Sequence, residues 1–296
     1  MKIKTLLDGD KRAPTPKQGT LSSPDSQPMM NMPIQIFQPW SNMIVKIKIP
    51  DKIFKVLLNV YDETMKDWKS FGDQLVGQVE EEPEVTEEIR NKFPEWINFC
   101  NSSVIEYIKT ATLQTMTAEP DKMNEFMADK VLTRISTMWF VNQKPNEYNP
   151  IHIHTNCKVS AICYLKTPKQ QIIGRKTHYK TDGKITFTNN TGTDTLFSNA
   201  TCSFEPKAGD MYIFGALQHH MVWPYRSADP NDERVSISFN VDTITKSGLK
   251  RQQQEQEEMV KYYQEQKQKS ENEKLNLNNE VKDDKSADAS NINKSG

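Results

Sequence analysis

Six short runs rich in β-branched and aromatic residues lie between residues 134 and 244: "RISTMWFVNQ", "KVSAICYLK", "GKITFTN", "CSFEPKAGDMYIFG", "HMVWPYR" and "RVSISFNVDTI". Side chains branched at Cβ lose rotamer freedom in a helix and pack well on a pleated sheet, so runs of this kind commit the region to strands. Turn-forming clusters, "TDG", "NNTGTD" and "KAGD", separate them at the spacing of a β-sandwich or barrel. Two helical periods come first. In "IKIPDKIFKVLLNVYDETM", Ile53, Val56, Leu57 and Val60 recur at i, i+3, i+4, i+7 behind Asp51 as N-cap; "PEWINFCNSSVIEYIKTATLQTM" aligns Trp96, Phe99, Val104, Tyr107 and Ile108. Helices followed by strands predict an α+β chain, mainly β: a double-sheet jelly roll with N-terminal helices packed on one sheet.

The apolar mass lies between Ile34 and Asp242, which predicts one folded domain over 34–245. Residues 1–33, rich in Pro, Ser, Gln, Asp and Lys, bury too little to offset their ordering entropy and read as a disordered arm. Residues 246–296 read as a polar helix to about Lys269 and a disordered tail, with only Met259, Val260, Tyr262 and Tyr263 available for packing. The 38 basic and 39 acidic side chains are interspersed, so no long-range field draws the chain to nucleic acid or an anionic membrane. Its four cysteines show no metal-ligand spacing, the stretch "MKIKTLLDGDKRAPTPKQG" contains no apolar run long enough for a signal peptide, and no run of about 18 apolar residues occurs. These features predict reduced thiols, a cytoplasmic location and a small-molecule or protein substrate; oligomeric state is left open.

Histidine is scarce and paired. Of five, four are His152 with His154 and His219 with His220. Side chains two apart on an extended strand share a face, so His152 and His154 project together, a geometry that suits a metal. Adjacent residues face opposite ways, so only one of the second pair joins a shared site; His220, with Val222 as its same-face apolar neighbour, is the choice. On a later strand Arg234, Ser236 and Ser238 share a face, and a guanidinium with a hydroxyl two residues on can clamp a carboxylate. Taken alone, Arg-x-Ser is a weak signal. His219 and His178 are assigned structural or substrate-facing places, and no HExxH motif points to zinc hydrolysis.

A paired-His block, a lone His on a later strand and then Arg-x-Ser is the order found in Fe(II)- and 2-oxoglutarate-dependent oxygenases, which are double-stranded β-helix proteins. More closely, "NEYNPIHIHTNCKVSAICYLKTP", "FEPKAGDMYIFGALQHHMVWPY" and "DERVSISFNVD" resemble the 2-oxoglutarate/Fe(II) oxygenase family whose members carry H-x-H before a Ser-Gly-Val-Tyr-Tyr-Leu-like strand, here "VSAICYL". The resemblance runs from about residue 34 to 242, and "QLVGQVEEEP" is its distinctive phrase in the helical half. It implies that His152, His154 and His220 are the catalytic iron ligands, with Fe(II), 2-oxoglutarate and O2 as metal and cosubstrates. Arg234 and Ser236 would bind the distal carboxylate of 2-oxoglutarate, and Tyr164 would add a hydroxyl or serve only as a buried strand residue. The implied reaction is hydroxylation of a protein side chain, such as proline in a peptide, or of a small metabolite, with release of succinate and CO2.

One position departs from the usual pattern of two His and one carboxylate: His154 stands where H-x-D would place Asp. Either the site is three-His, or one paired histidine stands back and a water or a distant carboxylate fills its place. Asp210 in "KAGD" reads as part of a tight turn. H-x-H also occurs in cupins, another jelly-roll class, but these place a Glu soon after the second His and have no role for Arg234 and Ser236. A metal-free jelly-roll binding module is the third reading.

Overall fold

A computed structural model describes residues 43–115, 120–169, 181–189 and 200–291. The expected N-terminal arm and His178 lie outside the described residues. The chain opens with β1 (Ile44–Lys48), α1 (Asp51–Thr64), a 3₁₀ turn (Gly72–Gln74), α2 (Glu87–Lys92), α3 (Pro94–Thr115) and α4 (Pro120–Ala128). Strands follow: β2 (Val131–Gln143), β3 (Asn149–His152), β4 (Val159–Lys166), β5 (Ile185–Thr188), β6 (Thr201–Phe204), β7 (Asp210–Gly215), β8 (His220–Val222) and β9 (Arg234–Thr245). The helix α5 (Lys246–Asn291) ends the described chain.

The strands form two antiparallel sheets, one of five in the order β1-β7-β4-β9-β2 and one of four in the order β3-β8-β5-β6. This is the α+β, mainly β jelly roll that the sequence predicts. Strand alternation gives the larger sheet two different faces. Its outer face presents Phe140, Cys163, Ile213, Ile237 and Phe239 to Leu57, Val60, Trp96, Cys100 and Val104 of α1 and α3, forming the main core. Trp96 is fully buried and meets Phe239 edge-on at 6.4 Å; burying an aromatic of that size contributes roughly 3 kcal/mol. The inner face meets the smaller sheet through Ile162, Tyr164, Tyr212 and Phe214 against Ile185, Phe187 and Val222.

Several local expectations change. Pro50, not Asp51, holds the N-cap position of α1, and Asp51 is the first helical residue, where its carboxylate still complements the exposed amides. "CSFEPKAGDMYIFG" divides into β6 and β7 at Gly209, whose φ of +81° requires glycine. From "HMVWPYR" only the first three residues form a strand. The edge strand β1 is additional, pairing with β7 from Ile44↔Phe214 to Lys48↔Asp210. α5 continues past Lys269 to Asn291, for the segment from Leu249 onward contains neither Gly nor Pro before its end. All four cysteines are free thiols, and no described helix is long and apolar enough to cross a membrane.

Candidate active site

The two sheets enclose a cavity of about 380 Å³. Its polar lining follows from alternation along β9: Val235, Ile237, Phe239 and Val241 enter the outer core, so Arg234, Ser236, Ser238 and Asn240 face inward. The neighbouring strands obey the same rule. Tyr164 of β4 lies across from Ser236, and Gln143 of β2 lies across from Arg234.

The three predicted histidines meet at one end. Ile151 and Ile153 point outward, 53% and 36% exposed, so His152 and His154 turn inward as an extended segment requires. Pairing ends at His152, and His154 is held beyond it by its amide, which donates to the Ala216 carbonyl at 2.8 Å. An irregularity in the β3–β8 register between Asn149 and His152 sets His152 opposite His220, a use of a bulge to re-aim a side chain. Ring centroids are 4.2 Å apart for His152–His220, 5.1 Å for His154–His220 and 5.3 Å for His152–His154. One ring nitrogen from each lies within 4.8 Å of the others. His219 is outside this group, its carbonyl accepting from the Thr188 amide.

The triad suits a divalent metal in its hydrogen bonding and charge. Nδ1 of His152 is 2.7 Å from the Pro150 carbonyl and Nδ1 of His220 is 2.9 Å from the Gln218 carbonyl. A carbonyl only accepts, so both Nδ1 atoms carry the proton and both Nε2 lone pairs are free for a metal. Burial disfavours the imidazolium at all three. It lowers His152, drives His220 well below the usual value, and takes His154 down to about 3, the His152 charge adding to the last two. Three neutral imidazoles sharing one open cavity fit Fe(II), and Asp210 takes no part. That residue pairs with Lys46 at 2.7 Å and Lys48 at 3.5 Å on the start of β7, as its turn position predicts.

The other polar cluster centres on Arg234, 2% exposed. Its guanidinium donates to the Gly183 carbonyl and to Oε1 of Gln143, with the Trp223 carbonyl at 3.5 Å, and it lies 5.6 Å from the Tyr225 ring centroid. The Tyr225 hydroxyl in turn contacts the carbonyls of Gln143 and Asp232 at 2.9 and 2.8 Å. No described carboxylate forms an ion pair with Arg234. Burial lowers its pKa, with Tyr164 and Tyr225 acting the other way, yet a guanidinium keeps its charge at any working pH. Tyr164 is fully buried and its hydroxyl has no hydrogen-bond partner among the described residues; burial also raises its pKa. Arg234, Ser236 and Tyr164 all line the cavity that holds the triad. Gln143 and Tyr225 were not singled out by the sequence, since neither type at that spacing carries a distinguishing signal.

A further buried polar group in the cavity wall went unrecognised: Glu82, 2% exposed, with Oε1 unpartnered among the described residues. Burial lifts its pKa from 4.5 to about 7, and the Glu147 charge adds to the rise. Below about pH 4.5 the carboxyl is protonated in folded and unfolded chains alike and has no effect on stability. As pH climbs toward 7 the unfolded chain releases its proton while the folded one retains it, so stability falls and then levels off. Glu82→Gln should therefore stabilise the protein at pH 8 by on the order of 3 kcal/mol and by almost nothing at pH 4.5. Denaturant titrations at the two pH values check this; equal effects at both would contradict it.

Residues 137–240 match a family model described as "Putative 2OG-Fe(II) oxygenase". Among solved structures, the chain is similar to a Pseudomonas putida prolyl-4-hydroxylase, at 12% identity over 68% of this chain and 94% of that one, with a TM-score of 0.38. It is also similar to the viral collagen prolyl hydroxylase of Paramecium Bursaria Chlorella virus-1, at 15% identity over 67% and 94% with a TM-score of 0.33. A third similar structure is a 2OG-Fe(II) oxygenase family oxidoreductase from Burkholderia pseudomallei, at 12% identity over 37% of this chain and 43% of that one, with a TM-score of 0.27. A comparison with curated proteins finds no match. The matched segment contains His152, His154, Tyr164, His220, Arg234 and Ser236.

Proposed function

We propose that the protein is a dioxygenase that hydroxylates a protein side chain or a small metabolite, releasing succinate and CO2, with His152, His154 and His220 holding Fe(II). The observation that carries this reading is a buried cation in the cavity wall with no ion-pair partner among the described residues. A buried guanidinium without an anion is strongly unfavourable, and the Arg234 guanidinium shares its cavity with a Tyr164 hydroxyl that has no partner among the described residues and with a neutral three-His cluster. An anion from solution that also chelates a metal supplies what both ends lack.

In this reading Arg234 binds the distal carboxylate of 2-oxoglutarate, and Ser236 and Tyr164 donate hydroxyl hydrogen bonds to it. Gln143, Gly183 and Trp223 take up the other guanidinium protons and so fix the fork's direction. The Pro150 and Gln218 carbonyls hold the ring protons of His152 and His220 on Nδ1, which would leave Nε2 of each free to bind the metal. Ile162, Ile185, Phe214 and Val222 give the cavity apolar walls that exclude water. When bound, Fe(II) with 2-oxoglutarate and O2 supplies oxidative decarboxylation of the cosubstrate coupled to oxidation of a C–H bond.

The three-His set has a consequence for binding. Neutral ligands leave the metal's double charge uncompensated, so the dianionic cosubstrate becomes its main counter-charge. Fe(II) and 2-oxoglutarate should each tighten the other's binding by about tenfold or more, the two factors being equal by linkage. Anaerobic calorimetry of each with and without the other tests the proposal. Metal binding indifferent to 2-oxoglutarate would favour the cupin alternative, which gives Arg234 no task.

A further inference from the structure

The phrase "QLVGQVEEEP", residues 74–83, supplies no part of the metal or cosubstrate site, yet it closes one side of the same cavity through Gln74, Leu75, Val76 and Glu82. Residues 81–85 run antiparallel beside β2, the outer strand of the larger sheet. The amides of Phe140 and Asn142 donate to the carbonyls of Pro83 and Glu81 at 2.8 and 2.9 Å, and Glu81 and Glu84 face Asn142 and Trp139. The same register sets Glu82 opposite Val141, a cavity residue, so alternation turns its carboxylate inward.

Nothing among the described residues compensates that carboxylate. Oε1 has no hydrogen-bond partner, and no described Lys or Arg forms an ion pair with it. The amide side chain of Asn149 comes to the same place. A Cβ on Gly77 would lie 2.5 Å from Oδ1 of Asn149 and 2.8 Å from Oε1 of Glu82, so the backbone there must be glycine for both to approach. The surroundings are acidic as well. Glu147 accepts from the amides of Glu80 and Lys144, and Lys144 is already shared between Glu81 and Glu80. A ligand with several N–H donors and a positive charge answers this arrangement, whereas a neutral amide would fill the acceptors and leave the charge unmet.

We propose that Glu82, with Asn149 beside it, binds an aliphatic ammonium group of the primary substrate. The proposal rests on the dioxygenase reading and adds the substrate class: a lysine side chain or a small amine, its methylenes against Phe71, Leu75 and Trp139. The carboxylate is then a selectivity device, tolerated in the free protein because substrate completes it.

The test is anaerobic calorimetry on the full chain loaded with Fe(II) and 2-oxoglutarate at pH 8, where Glu82 is ionised. Two probes are each compared with a neutral counterpart of similar shape: n-butylammonium with n-butanol, and Nα-acetyl-lysine N-methylamide with its norleucine analogue. Wild type should prefer the charged member of at least one pair by about tenfold or more, and Glu82→Gln should reduce that preference to about twofold or less. Stronger binding of the lysine probe would identify a peptide source, and stronger binding of butylammonium a small amine. No charge preference in wild type overturns the proposal, a result that needs no variant to fold; so does a preference that survives in Glu82→Gln. The affinity for 2-oxoglutarate, measured on the same samples, separates the two levels. If cosubstrate does not bind, the dioxygenase reading falls and takes this proposal with it; if it binds normally while the amines are indifferent, this proposal falls alone.

Discussion

Arg234→Ala should weaken 2-oxoglutarate binding by about a hundredfold or more while changing Fe(II) affinity, measured without cosubstrate, by about threefold or less. The asymmetry follows from position. The guanidinium is buried at the Gln143 and Gly183 side of the cavity, it is not among the groups that could hold the metal, and its supports are backbone carbonyls and one amide rather than a carboxylate. Truncating one partner of a buried charged contact removes the attraction and strands the other charge, which is why the loss is large. Arg234→Lys should recover little of it, because an ammonium keeps the charge and forfeits the planar fork that these partners orient. Anaerobic equilibrium titrations of both ligands on each variant give the comparison, and retained Fe(II) affinity shows that the variant is folded. Unchanged affinity for 2-oxoglutarate would remove Arg234 from the cosubstrate site.

The second large effect belongs to His220. His220→Ala should lower Fe(II) affinity by more than about a hundredfold, since a third of the proposed donor set disappears and even supporting hydrogen bonds of such ligands are worth 10- to 100-fold. His219→Ala should leave it nearly unchanged, although the two residues are neighbours in sequence. The structure separates them by direction: the His220 ring stands 4.2 Å from that of His152, whereas His219 is outside the cluster. Metal content after dialysis against a weak chelator distinguishes them. Equal loss in both variants would mean that the pair acts through local folding rather than through ligation.

Much of this site was legible because strand alternation is a local property. His152 with His154, and Arg234 with Ser236, could be placed on common faces from sequence spacing alone; the same rule admitted only one of His219 and His220, and the apolar neighbour Val222 together with the family resemblance favoured His220. The shared cavity depends instead on pairing between distant segments. Nothing near Gln143 announces that it will lie across from Arg234, 91 residues later, and nothing near Glu82 announces that it will run beside β2 and face inward. Residues of those types are most often solvent-exposed, so composition argued against noticing them. The strand β1 escaped for a different reason. Its sequence, "IVKIK", is five residues long with Lys46 and Lys48 on the face that meets Asp210, and the helix signals of α1 begin two residues after its end. Short, lysine-bearing edge strands are how sheets blunt their open edges, and the same features hide them in a sequence. His154 shows the limit of the alternation rule: it reaches the triad although hydrogen-bonded pairing stops at His152, because the Ala216 carbonyl holds its backbone.

The most direct test of the three-His iron site is an anaerobic titration of the metal-free protein with Fe(II) and then with 2-oxoglutarate, followed in the visible region. The expected result is a charge-transfer band that appears only when both are present, saturates at one equivalent of each, and is absent in His220→Ala. Tight Fe(II) binding without a band on addition of 2-oxoglutarate, or no Fe(II) binding at all, would contradict it.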